Sequence, residues 1–531
     1  MAATRPTLAG LPLELRQHVC ALLVDPQHLR SLCLVCKETR DAAIPFLYKQ
    51  VALTVAHLYC RLAEAFNEQN PGIEHVEELV IRPSYSSTYN HVLHGQFLMD
   101  LLSKLKQEKF KSLSLPSDSV TSPTIFQHLL SRPRRLHNLE IHRGLGTYTP
   151  VLNFNNSLEN VKSLTFHIDT PADAQLAAGV RRAATAAVDL RIAMRDRSAS
   201  WVDATDPSAP GLSIFRTIFG NAVRSLIRLA FANVRFLDGN EDLAAVIHLP
   251  SLQSLEFTGC DYAGDVLQAL SEAGHLQLTL FSDDNRGRPL YYDEDLTLDV
   301  TLRSLRGLQD LRLGRHFNLD DAETMQALIA AVQHHAATLK VLRFNERMHS
   351  LTKFCRNFDM RVDFPSSIRA LLQETTSLQQ LGIQSPIPAT HSAFIPGFID
   401  CFTSLHELRA LQIRVWFDHS AFRFVSRNEH EVDEHHMRLI SETEPDLLAN
   451  RIVQHLYHGC PLLSALAIDA QHDFLPCHTI RQCFYYIKVS QIDNHGTINH
   501  AAVWYSAAKV YPYESSTDIF AAAERDYPNG A

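Results

Sequence analysis

The chain has 531 residues, 46% of them apolar and 20% charged, with a formal net charge of −9. This is globular composition, and its acidity argues against a nucleic-acid-binding protein, which would carry a basic patch or stripe. With no apolar run near the roughly eighteen residues that span a bilayer, no signal-peptide core (Glu14 and Arg16 interrupt it) and no disulfide framework among the ten cysteines, the expectation is a soluble, reduced protein, cytoplasmic and/or nuclear.

Leu11-Pro12-Leu13-Glu14-Leu15 opens the first predicted helix, with a proline where the first turn tolerates one. Leu11, Leu15, Val19, Leu22 and Leu23 recur at helical spacing and make one apolar face, and the helix stops near Val24. Asp25-Pro26 supplies a cap and a first-turn proline for a second helix. On it Leu29, Leu32, Cys33 and Cys36 fall at i, i+3, i+4 and i+7, the spacing of a single buried stripe. Cys33 and Cys36 are also a C-x-x-C pair. No second pair completes four zinc ligands and no thioredoxin-like strand precedes them, so they read as small buried hydrophobes. A last helical stretch, Arg40 to Ile44, is expected to end at Pro45, and the alternation in Val51-Ala52-Leu53-Thr54-Val55 predicts a strand.

As a set, Leu11, Pro12, Glu14, Leu15, Val19, Asp25, Pro26, Leu29, Leu32, Val35, Cys36 and Lys37, with Phe46-Leu47-Tyr48 before the strand, resemble the F-box. The resemblance covers residues 8–50, about the first tenth of the chain. Arg16 and Cys20 depart from the pattern, standing where the family often has an aliphatic residue and a phenylalanine. The resemblance implies docking onto a Skp-type adaptor, and through it onto a cullin. The implied adaptor-binding residues are Leu11, Pro12, Leu15, Val19, Leu29, Leu32, Val35 and Cys36.

Beyond residue 50 a phrase of the form L-x-x-L-x-(L/I/F) recurs. It reads VEELVI at 76, FKSLSL at 110, LHNLEI at 136, VKSLTF at 161, LIRLAF at 226 and LQSLEF at 252. It continues as LQDLRL at 308, LKVLRF at 339, LQQLGI at 378, LRALQI at 408 and LSALAI at 463. Weaker strands fit around Leu53, Leu190 and Leu278. Helical segments are expected at 91–108, 321–334, 366–375 and 445–457. Strand and helix alternating every 25 to 30 residues is the signature of a leucine-rich-repeat solenoid. The expected fold is therefore α/β: a short N-terminal helical F-box, then an irregular leucine-rich-repeat solenoid over 51–482, a curved parallel sheet with outer helices, resembling the divergent solenoids of fungal-type F-box proteins. A β-hairpin over 483–510, turning at Asp493-Asn494-His495-Gly496, is expected to cap it, and 511–531 to be disordered.

Each phrase also assigns sides. In LHNLEI, Leu139 and Ile141 point to the core while Asn138, Glu140 and His142 point outward. Among the later outward residues, Arg312, Arg343 and Arg414, with Trp416, are candidate substrate contacts, because guanidinium forks suit acidic or phosphorylated segments. The alternative is ordinary solvated charge balanced by acids such as Asp310 and Glu346. Insertions near 282–296 and 419–445 read as projecting loops.

The chain offers no catalytic constellation. His430, His435 and His436 miss the i, i+4 spacing of a helical zinc pair, and no phosphate-cradling, nucleophile-elbow or dinucleotide motif occurs. The expected function is non-catalytic and without cofactor or metal; the F-box resemblance implies the substrate-recruiting subunit of an SCF (Skp–cullin–F-box) ubiquitin ligase, binding a protein substrate on the solenoid, with no nucleic acid or membrane partner. A repeat scaffold acting outside ubiquitination is the alternative, and a metal-dependent hydrolase centred on His430, His435 and His436 ranks below it.

Overall fold

In the computed structural model the described residues are 7–23, 26–54, 66–82 (without 68), 98–115 (without 99 and 107), 127, 135–142, 158–194, 217–219, 226–236 (without 235), 251–260, 263–272, 277–284, 295–314, 322–344, 366–385, 389, 394–416, 443–475, 478–492 and 498–505. They belong to two compact units, Met1–Gly274 and His275–Ala531.

The first unit opens with α1 (Leu13–Leu22), α2 (Pro26–Val35) and α3 (Lys37–Leu47). Cys20, Leu29, Ala42 and Ala43 form their common core, with Leu23, Leu32, Cys33, Phe46 and Leu47 packed around it. Two expectations change here. Cys36 does not continue the α2 stripe; it is the N-cap of α3. Thr39 accounts for the break: its hydroxyl donates to Leu32 O at 2.8 Å and accepts from the Cys36 N–H at 3.3 Å, offering the backbone partners outside the helical ladder. Second, α3 starts at Lys37 and runs through Pro45, which removes one donor near the helix end; the Tyr48 N–H still closes the last turn on Ile44 O at 3.1 Å.

The rest of this unit is a parallel sheet in chain order: β1 (Gln50–Thr54), β2 (Glu78–Arg82), β3 (Ser112–Leu115), β4 (Asn138–Ile141), β5 (Ser163–Ile168), β6 (Asp189–Met194), β7 (Arg228–Ala232) and β8 (Ser254–Thr258). The second unit continues the same construction with β9 (Leu280–Asp284), β10 (Asp310–Leu313), β11 (Val341–Phe344), β12 (Gln380–Gln384), β13 (Ala410–Trp416) and β14 (Ala465–Leu475), again parallel. Then β15 (His478–Ile492) pairs antiparallel with both β14 and β16 (Ile498–Tyr505). The expected turn at 493–496 and the tail from 511 lie outside the described residues.

All eleven phrases become strands, each beginning at the third residue of its phrase. Their central residues, with those of the weaker strands, stack in register: Leu79, Leu113, Leu139, Leu164, Leu190, Leu229 and Leu255 in one unit. In the other, Phe281, Leu311, Leu342, Leu381, Leu411 and Leu466 do the same. The backbone just ahead of the strands extends the ladder, as in Lys340 N–H to Gln309 O and Gln379 N–H to Lys340 O, at 2.8 and 2.7 Å. A hydroxyl before the leading leucine is reused as a staple. Ser251 donates to Leu226 O, Thr338 to Leu308 O and Ser377 to Leu339 O, each satisfying the carbonyl of the preceding leading leucine.

One weak phrase is displaced. Leu278 is the leading residue, Phe281 the central one, and Asp283 takes the core-directed place that a leucine or isoleucine fills elsewhere. Consequently Ser282–Asp284 of the first expected insertion are strand, and Asp295 and Leu296 already belong to the helix Asp295–Ser304; only 285–294 lie outside the described residues. Of the second insertion, 419–442 lie outside them, with His430, His435 and His436, and Thr443 starts the helix Thr443–Leu456. The helices expected at 321–334 and 366–375 are present as Ala322–Gln333 and Ser366–Glu374, and 100–104 is helical within the 91–108 segment. No helix among the described residues is long and apolar enough to cross a membrane.

Candidate docking surface and outward row

Leu15, Val19 and Leu22 stand at i, i+4 and i+7 on α1 and therefore share a face. The buried Cys20 points elsewhere. Leu15 is 52% and Leu22 63% exposed; on the last turn of α2, Leu34 is 81% and Val35 69% exposed. Together with Leu13 they make five of the eight large exposed apolar side chains among the described residues, all within the first 35 positions. Scattered exposed leucines are ordinary, and this concentration in one short segment makes it the candidate interaction surface.

The implied adaptor-binding residues divide accordingly. Pro12, Leu15 and Val35 are exposed, and Leu11, Val19, Leu32 and Cys36 are half-buried. Leu29 is a correction: it is buried against Ala42 and Ala43 and holds the helices together, so it offers nothing to a partner. Leu22 and Leu34, not among the implied contacts, are both more exposed than Leu15, and Leu34 more than Val35. The apolar period of α1 did contain Leu22. Leu34 carries no periodic signal, because it lies off the stripe of Leu29, Leu32 and Cys33.

Cys33, in the C-x-x-C pair, is shifted away from redox tuning. Cys33 and Cys36 are both free, and burial pushes the Cys33 thiol up, as it does Cys20. Burial likewise pushes Cys460 up to about 12. A redox-active cysteine has the opposite shift. Iodoacetamide at pH 7 is therefore expected to leave Cys20, Cys33 and Cys460 largely unmodified in the native protein and to modify all three in denaturant; peptide mass spectrometry checks this, and rapid native labelling of Cys33 would contradict it.

The outward row differs between the units. On β4 and β5 the outward residues Asn138, Glu140, Ser163, Thr165 and His167 are exposed or half-buried, alternating with buried core residues. On β10 all four residues are buried, and Arg312, Arg343, Gln412 and Arg414 are each no more than 4% exposed. The expectation of arginines open to a substrate is corrected by this burial. Arg312 is held by Asp310 in two bonds, Nε to Oδ1 at 2.9 Å and Nη2 to Oδ2 at 2.8 Å, and Arg414 Nε meets Asp469 Oδ2 at 2.6 Å. Nor are the three equivalent. Arg312 faces Arg343 across the ladder, and the line continues through Gly382 to Gln412; Arg414 stands two residues further along β13, between Gln384 and Asp469. Trp416 ends β13 opposite Gln471.

A group absent from the sequence reading comes together on the first unit: Glu140, His142 and His167, whose donor atoms all lie within 4.8 Å of one another. The signal was present. LHNLEIH and VKSLTFH both place a histidine just after the phrase, and the register sets such residues side by side. No protein-family model matches the chain, and no curated protein matches it.

Proposed function

We propose that this protein is the substrate-recruiting subunit of an SCF-type ubiquitin ligase, with the N-terminal helices docking a Skp-type adaptor and the repeat units holding a protein substrate. The observation that carries the reading is the exposure of Leu15, Leu22, Leu34 and Val35 on a helical module whose own core is closed by Cys20, Leu29, Ala42 and Ala43. Those residues fall in the segment that resembles the F-box. The repeated strand phrase with stacked leucines supports the leucine-rich-repeat part of the reading, as does Cys260, buried at the place where such repeats carry asparagine or cysteine. The half-exposed outward row of β4 and β5 is the better substrate wall, since the arginines of the second unit are internal. Such a subunit performs no bond chemistry; it raises the effective concentration of a substrate lysine near a charged conjugating enzyme.

The test is co-purification with the adaptor, wild type against Leu11, Pro12 and Leu15 all changed to Ala. Truncating a central anchor commonly costs about 2 kcal/mol, so the triple variant should lose the adaptor while keeping its circular dichroism. Equal recovery of the adaptor by both proteins removes the reading.

A further inference from the structure

We propose that Glu140, His142 and His167 form a zinc-binding site on the outward side of β4 and β5. The strand register builds it: Glu140 faces Thr165 and Ile141 faces Phe166, which sets His142 beside His167. The Glu140 Oε1 atom lies 2.8 Å from His167 Nε2 and 3.6 Å from His142 Nε2. The two imidazole rings lie parallel, 4° apart, with centroids 4.1 Å from each other. Neutral imidazole is the form of histidine that ligates a metal.

Hydrogen bonds hold the third ligand in place. Glu140 is hydrogen-bonded to His167, at 2.8 Å, and to Ser114. Ser114 on β3 fixes the carboxylate's orientation as an outer partner of a metal ligand does.

Two imidazoles and one carboxylate are the ligand set of an open zinc site, with bonds of about 2.0–2.2 Å and a fourth position left free. Tetrahedral bonds of that length separate neighbouring ligand atoms by about 3.3–3.5 Å. The His142 separation is already close to that value. The shorter Glu140–His167 contact is the hydrogen bond that an entering ion replaces, releasing the proton that occupies it. Since the donors stand on or directly beside neighbouring strands of one ladder, ring rotation rather than backbone movement closes the set. All three side chains keep 24–36% exposure, so the fourth position is open to water or to a carboxylate or imidazole from a bound protein. The site does not depend on adaptor docking.

The test uses the full chain, stripped with chelator and titrated with Zn²⁺ by calorimetry and with Co²⁺ by visible absorption. The chain has 28 histidines, so the informative quantity is the difference between wild type and variants. Wild type is expected to bind one more equivalent than His142→Ala/His167→Ala and to show a tetrahedral Co²⁺ band that the variant lacks. Ser114→Ala should weaken that equivalent about tenfold. Glu140→Gln, which preserves size and hydrogen bonding, should also lose it, and this keeps the test valid should the double variant fail to fold. The same stoichiometry and affinity in wild type and in Glu140→Gln would overturn the proposal, as would a wild type that gives no tetrahedral band.

Discussion

Replacing Arg414 by methionine is expected to destabilise the second unit by about 3–5 kcal/mol, because it takes the guanidinium away from a carboxylate buried inside. Arg414 is 1% exposed and Asp469 fully buried; they face each other across β13 and β14, joined at 2.6 Å. Water cannot take over from the lost guanidinium. The reverse single change, Asp469→Leu, strands a cation and should cost a similar amount. Changing both, Arg414→Met with Asp469→Leu, should recover most of the loss, since a buried ion pair adds little over well-packed apolar side chains. Urea unfolding followed by tryptophan fluorescence reads all three variants. Single variants as stable as wild type would show that the pair is not sealed from solvent.

That pair also marks the limit of what could be read from residues alone. Alternation along a strand says which side chains share a face, and the ladder keeps the central residues of neighbouring phrases in line. It does not say what lies beyond the outward side. Asn138 on β4 is exposed, whereas Asp310, at the same place in its phrase on β10, is buried. Spacing along the phrases likewise does not tell which arginines stand in line. Only the ladder shows that Gln412, not Arg414, continues the line from Arg312 and Arg343.

Local chemistry explains the other departures. Thr39 ends one helix and starts the next through bonds that a hydrophobic period cannot register. At β9 the leucine pattern breaks because Asp283 fills a core-directed place, so a search for apolar residues settles on Leu278 instead of Phe281. The presence and order of the N-terminal helices were legible from their apolar period, although Cys36 and Pro45 take places there that the period does not show. Even so, telling the module's inner leucine, Leu29, from its outer ones, Leu15 and Leu22, required the packing of α3.

The second large effect is expected from a single leucine of a rung. Leu139 is the central residue of β4, and its register partners Leu113 and Leu164 stand on β3 and β5. All three are buried, so each fills space that its neighbours also line. Leu139→Ala should cost about 2–5 kcal/mol, the sum of lost transfer energy and a cavity that close-packed neighbours fill only in part. The loss should be shared rather than local, because a repeat unit draws its stability from the interfaces on both sides. Hydrogen exchange should therefore quicken on β3, β4 and β5 together. Asn138→Ala on the exposed outward side of β4 should stay within about 0.5 kcal/mol, as surface changes do. If Leu139→Ala instead quickened exchange on β4 alone, the leucines would be packing within their own turns, and the stacked core would not be what holds the first unit's sheet together.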